Sequence, residues 1–270
     1  MIDVKTANVK FLDGDFEGAA RDYLTGAEEG DPMCAFNYAY CLYRGKGVER
    51  DAESARSFFS FARELVGEAN YNLACMYIFG TGVKKNYKKA YDYMHAAAEK
   101  GVVEAQLYLG VAHVMGAMFE PEVRFLSMIP YHKQEYVDSD AFLLEGEISL
   151  EEFEADDEAR VSAVRQDDSD AFHWFAASAR NKTDYAREFV TKGRYLHALC
   201  YIDEIGVGFD LKKGNTLMLK AAVSGSGEAL EYLQTRAPYV LESVKDKKIL
   251  AILDQVGQMA LGGAVPSEEE

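Results

Sequence analysis

The side chains with reactive potential are dispersed along the chain. His95, His113, His132, His173 and His197 show neither His-x-x-x-His nor His-Glu-x-x-His spacing, and no Cys-x-x-Cys accompanies them, so the ligand pattern of a zinc site is missing. Asp156 and Asp157 have the residue types for acid–base work, but they lie in a run so charged that it reads as a solvated face. Neither a Gly-x-x-x-x-Gly-Lys-Ser/Thr phosphate loop nor a Gly-x-Ser-x-Gly nucleophile turn occurs. No catalytic, metal-ligating or cofactor-binding residue is therefore assigned. The glycines that resemble a phosphate loop come in two sets, Gly45 and Gly47 before Val48, and Gly80 and Gly82 before Val83, spaced 35 residues apart. Recurrence at a fixed period marks them as structural turns of a repeat.

The elements around those turns repeat with them. Ala55 returns as Ala90 and Ala69 as Ala105; Lys88 to Gly101 returns in register as Lys212 to Gly225, and Asp170 to Ala179 repeats the same first helix. Five complete or partial units follow: 16–50, 51–85, 86–120, 167–210 and 211–237. Within them the apolar spacing is that of amphipathic helices, with Ala55, Phe58, Phe59 and Ala62 on one stripe and Tyr71, Ala74, Cys75, Ile78 and Phe79 on another. Asp51 and Asn86 are N-caps, and glycine, which tolerates positive φ, ends each second helix. The unit is helix, turn, helix, glycine loop. Tyr23, Phe61, Tyr91 and Trp174 could supply aromatic contacts to a partner, but at helical spacing most of them are expected in the core between units.

Ala90, Tyr93, Met94, Ala97, Ala98, Gly101, Ala105, Leu109 and Gly110, with Ala69, Leu73, Ala74, Tyr77, Gly80, Gly82 and Val83 one unit earlier, resemble the Sel-like repeat (SLR) family, relatives of tetratricopeptide repeats. The resemblance covers most of 16–120 and 167–235. It implies an all-α fold, a right-handed α/α superhelix, used mainly as a scaffold or adaptor that binds a protein or peptide on its concave face. By the same resemblance the first helices line that face, which places Arg21, Asp22, Arg56, Ser57, Asp92, His95, His173 and Lys220 along it. Glu28, Glu64 and Glu99 stand at equal offsets from Ala19, Ala55 and Ala90 and form an acidic row suited to a partner with a basic patch. The pattern departs from the family at Gly116, followed by Ala117, Met118 and Phe119. It departs again between Ala179 and Tyr195, where about nine residues exceed a short hairpin loop.

Composition agrees with a repeat protein and excludes some partners. The formal charge of −16 and pI near 4.8 argue against nucleic acid, whose phosphates need clustered Lys and Arg. No segment has the length and apolarity of a membrane span, and the start MIDVKTANVKF has no apolar run of signal-peptide length, so a cytoplasmic protein is expected. Cys34 and Cys41 lie seven residues apart on one helix, about 10 Å along its axis, beyond disulfide reach. All four cysteines read as buried core residues.

One continuous solenoid over 1–237 is expected, acting as a monomer and interrupted by an acidic insertion at about 121–166. Fourteen Asp and Glu against Arg160 and Arg165 between Glu135 and Asp170 make this a distinct composition. Pro130 and Tyr131 lead in as a loop, and Ser149 with Glu152 forms a capping box before Phe153. Phe142, Leu143, Leu144 and Ile148 allow a degenerate repeat instead. Capping helices are expected over 238–262, with Ile249, Ile252, Leu253, Val256 and Met259 on one face, and a disordered tail over 263–270. Two other readings stand beside the scaffold: a regulatory or immunity-type protein sequestering a basic partner, and an enzyme with a site near Tyr131 and His132 of the insertion.

Overall fold

The computed structural model describes residues 4–119, 159–183 and 187–262, and no strand occurs among them. The expected capping box, degenerate repeat and tail lie outside the described residues. The chain divides into two compact units, Met1–Gln166 and Asp167–Glu270.

The first unit contains α1 (Val4–Leu12), α2 (Phe16–Glu28), α3 (Pro32–Arg44), α4 (Ala52–Ala62), α5 (Gly67–Phe79), α6 (Tyr87–Glu99) and α7 (Val103–Met115). Each helix packs chiefly on its neighbour in sequence, so α2/α3, α4/α5 and α6/α7 are the hairpins of the first three repeats. Both anticipated N-caps are formed: Asp51 accepts from the Glu53 and Ser54 amides at 3.0 Å, and Asn86 accepts from the Lys89 amide at 2.9 Å. Asp15 does the same for the Gly18 amide at 2.9 Å. Each such cap contributes on the order of 1 kcal/mol. Four residues after the small residue of each first helix, Tyr23, Phe59 and Met94 are fully buried, and Phe36 and Phe59 pack ring to ring at 5.4 Å.

The glycine turn has two separate requirements. Gly45 and Gly80 take left-handed φ of 67° and 70° and end α3 and α5. Gly47 and Gly82 are left-handed too, and the chain there folds back on the opening residue of its own hairpin. A Cβ at Gly47 would lie 2.1 Å from the Phe16 carbonyl oxygen, and one at Gly82 would lie 2.8 Å from the Ala52 carbonyl carbon and oxygen. In the third repeat Met118 occupies the place of that second glycine. The insertion leaves and re-enters here: the Met118 amide donates to the Arg160 carbonyl at 3.1 Å, and Gln166 packs against Gly116 as Lys85 packs against Gly80. Tyr108 holds the exit, its hydroxyl donating to the Phe119 carbonyl at 2.6 Å and accepting from the Phe119 amide at 2.9 Å.

Helix α1 extends the array beyond the sequence expectation. Ala7, Asn8 and Phe11 are buried, and Asn8 accepts from the Tyr23 hydroxyl at 2.6 Å and the Asn37 amide at 3.1 Å. It stands where the second helix of a preceding hairpin would.

The second unit contains α8 (Asp168–Arg180), α9 (Arg187–Ile202), α10 (Leu211–Val223), α11 (Gly227–Arg236), α12 (Pro238–Glu242) and α13 (Lys247–Gly262). Asp167 and Asp210 cap α8 and α10, and Phe175 and Met218 fill the buried position of Tyr23 and Phe59. The excess residues before Tyr195 go partly into α9, which has 16 residues where α3, α5 and α7 have 13. Leu253 and Val256 of α13 are buried against Met218, Leu230 and Leu233. Ile249 is half-buried, but Ile252 at 38% and Met259 at 65% exposure stand in solvent, so the covering face is narrower than the periodicity implied.

The fourth repeat contains a concealed copy of the turn, Glu204-Ile205-Gly206-Val207. Glu204 takes φ of 59° where the other copies have glycine. A left-handed non-glycine residue costs on the order of 1 kcal/mol, so Glu204→Gly is expected to raise the unfolding free energy by about that amount and with it the denaturation midpoint. Equal midpoints for Glu204→Gly and Glu204→Ala would show that the backbone is unstrained.

Candidate functional site

The positions expected to face a partner fall into three groups. Asp22 is committed to the fold: it pairs with Lys10 of α1 at 2.6 Å and its side chain is mostly covered. Arg21, Ser57 and Asp92 are exposed on α2, α4 and α6, with the Ser57 hydroxyl donating to the Glu53 carbonyl at 3.3 Å. Arg56 is half-buried, and its Nε is buried without an acceptor. His173, whose ring meets Trp174 at 4.8 Å, and Lys220 are exposed in the second unit.

The three glutamates of the row are all exposed at the ends of successive first helices, Glu28 and Glu99 as last helical residues and Glu64 just beyond α4. Their surroundings are less uniformly acidic than the sequence offsets imply. Arg63 Nε donates to Glu64 at 3.1 Å while Nη1 donates to the Tyr93 hydroxyl at 3.2 Å. The Lys100 ammonium reaches the Glu64 carbonyl at 2.7 Å, joining the ends of α4 and α6, and His95 sits 3.6 Å from Glu99. Exposed pairs of this kind each contribute little to stability.

Aromatic residues flank the row. Tyr38 meets Phe58 edge-on at 4.9 Å, and Tyr77 stacks on Tyr93 at 5.6 Å with Lys89 over the Tyr77 ring. Burial, then Cys41 and Glu28, raises the Tyr38 phenol. Of the four aromatics named from the sequence, Tyr23 and Trp174 are core and Tyr91 is half-buried, its hydroxyl 3.3 Å from His113. Phe61 is 54% exposed, beside Leu65 at 79%. Sequence periodicity contained that signal, because the stripe Ala55, Phe58, Phe59, Ala62 leaves Phe61 off its face. Arg63 and Lys100 carried no comparable signal.

All four cysteines are buried as thiols outside any disulfide, and burial pushes the Cys41 thiol up to about 12, too high for a nucleophile at neutral pH. Among the described residues no cluster of three or more His, Cys, Asp and Glu is placed to hold a metal, and no helix is long and apolar enough to cross a membrane. His197 lies against Phe172 and Tyr201; burial, then Arg180 and Lys213, lowers its pKa to about 4. The folded state thus releases a proton that the unfolded chain holds below its ordinary value near 6.5. Stability contributed by neutral His197 is present above that value and lost as pH falls toward 4. Wild type should lose more melting temperature than His197→Phe between pH 7 and 5; parallel pH profiles for the two would refute this coupling.

Stacked hairpins that reuse one glycine turn and one buried position define a helical-repeat protein. The sequence model of the Sel1 repeat matches residues 32–65, 67–102 and 161–182. The first two matches span α3 with α4 and α5 with α6. The structure is similar to that of a Sel1 repeat protein from Oxalobacter formigenes, with a TM-score of 0.66 and 19% identity over 95% of this chain and 85% of that one, which shows the helix-hairpin solenoid fold. It is also similar to a protective antigen of uropathogenic Escherichia coli displaying an SLR fold, with a TM-score of 0.43 and 20% identity over 96% of this chain and 54% of that one. Sel1 repeats generally serve as protein–protein interaction scaffolds and are typically not enzymes.

Proposed function

We propose that this chain is a scaffold that binds a protein or peptide partner bearing a basic patch, through the exposed face of its first helices, without catalysis. The observation that carries this reading is the row Glu28, Glu64 and Glu99, exposed at the ends of three successive first helices. The net charge of −16 supports it, since a cationic partner is drawn to such a surface at long range. Exposed charges act mainly on association rate and salt sensitivity.

The test is affinity capture from native lysate at low and moderate salt, identification of the captured protein, and measurement of its affinity for wild type and for Glu28→Lys/Glu64→Lys/Glu99→Lys. Weaker capture in salt and weaker binding by the triple variant, with helical content unchanged, are expected. A partner indifferent to both salt and the triple change would show that the row is only a solvated face.

A further inference from the structure

We infer that the acidic face of the first unit contains an apolar anchor, Phe61 with Leu65, and that it takes a peptide presenting a Leu- or Phe-like side chain flanked by Lys or Arg. This rests on the scaffold reading above and specifies the chemistry of its partner. Single exposed apolar residues are ordinary, but here two large ones lie four residues apart, Phe61 in the last turn of α4 and Leu65 in the turn that follows, with more than half of each in water. The surface beside them is apolar as well. Phe58, one turn before Phe61, is half-buried against Tyr38, and Tyr93 is fixed in orientation by its stack on Tyr77 and its bond to Arg63.

Charge selects the flanking residues of the occupant. Glu64 lies between Phe61 and Leu65 in sequence, and the exposed Glu28 is among the charges that raise the Tyr38 phenol. Lys100 brings the end of α6, with Glu99, against the turn that carries Glu64. Three cations of this surface are already engaged, Arg63 by Glu64 and Tyr93, Lys100 by the Glu64 carbonyl, and Lys89 by the Tyr77 ring. An anionic peptide would meet the three glutamates, whereas a cationic one meets them favourably while its apolar residue covers Phe61 and Leu65. A desolvated apolar anchor inside a charged rim is the usual distribution of binding energy at an interface.

The experiment is fluorescence anisotropy on the full chain with three labelled amphipathic peptides: one of Leu and Lys, one with every Leu replaced by Ser, and one with every Lys replaced by Glu. The Leu/Lys peptide is expected to bind at least about tenfold tighter than either other. Phe61→Ser/Leu65→Ser is expected to lose about that factor with unchanged melting temperature. Leu65→Ser alone, a change at the more exposed site, is expected to lose part of it. If the double variant binds the Leu/Lys peptide as wild type does while the triple glutamate reversal fails, the anchor is wrong and the acidic row stands. If neither variant alters binding, both are wrong. If wild type is a dimer and the Ser variant a monomer, a second copy covers these residues and the proposal falls.

Discussion

Gly47→Ala is expected to destabilise the first unit by roughly 3 kcal/mol. Two effects add. The residue sits at φ of 71°, where a Cβ costs on the order of 1 kcal/mol. The added Cβ would also fall 2.1 Å from the Phe16 carbonyl oxygen and 2.6 Å from the Glu17 amide, a contact that only backbone movement relieves. Forcing atoms into a packed site typically costs a further 1–3 kcal/mol, by about that range. Gly101→Ala separates the two, because Gly101 is at φ of 89° with no atom within 4 Å of the would-be Cβ, so it should cost only the backbone share. Urea denaturation of both variants gives the comparison. Equal losses would mean that the close approach at Gly47 contributes nothing.

Those glycines explain why so much of the fold was legible in the sequence. A position that needs both positive φ and the absence of a Cβ admits one residue type, so Gly-x-Gly-Val survives where the helices around it diverge. The caps at Asp51 and Asn86 were legible for a related reason, since a short side-chain acceptor must meet the first amides of the helix. Where the constraint is tertiary, the sequence was silent. Helix α1 buries only Ala7, Asn8 and Phe11 among nine residues, too sparse a pattern to announce an element, and its partners Tyr23, Asn37 and Tyr40 are supplied from afar. The pairing of Asp22 with Lys10 was invisible for the same reason, because Lys10 lies on that helix. At Glu204 one charged residue in a glycine position hid the fourth copy of the turn.

The surface was harder to read than the core for a physical reason. Burial imposes a period on the sequence, whereas exposure imposes none, so Arg63 and Lys100 were indistinguishable from any solvated cations until their partners were placed. Equal spacing of Glu28, Glu64 and Glu99 was a property of the repeat, and only the structure shows Glu64 held by Arg63 and Glu99 beside His95.

Truncation after Leu233 is expected to lower the melting temperature sharply and to cause association. The last hairpin, α10 with α11, has an apolar side that, among the described residues of the second unit, α12 and α13 cover. Leu253 and Val256 are buried there against Met218, Leu230 and Leu233, and losing two such side chains forgoes about 3–6 kcal/mol of burial. Truncation also removes Tyr239, whose hydroxyl accepts from the Asn215 amide at 2.6 Å, and so leaves a second buried polar atom of Asn215 without a partner in addition to Oδ1. A repeat array without its terminal cover exposes the interface that would receive the next repeat, and that surface is adhesive. Removal of residues 263–270 alone keeps α13 and is the matched control, expected to melt as the full chain does. Size-exclusion chromatography and thermal denaturation of the two truncations decide the matter. A chain ending at Leu233 that stays monodisperse and melts at the wild-type temperature would show that α12 and α13 do not act as the cap.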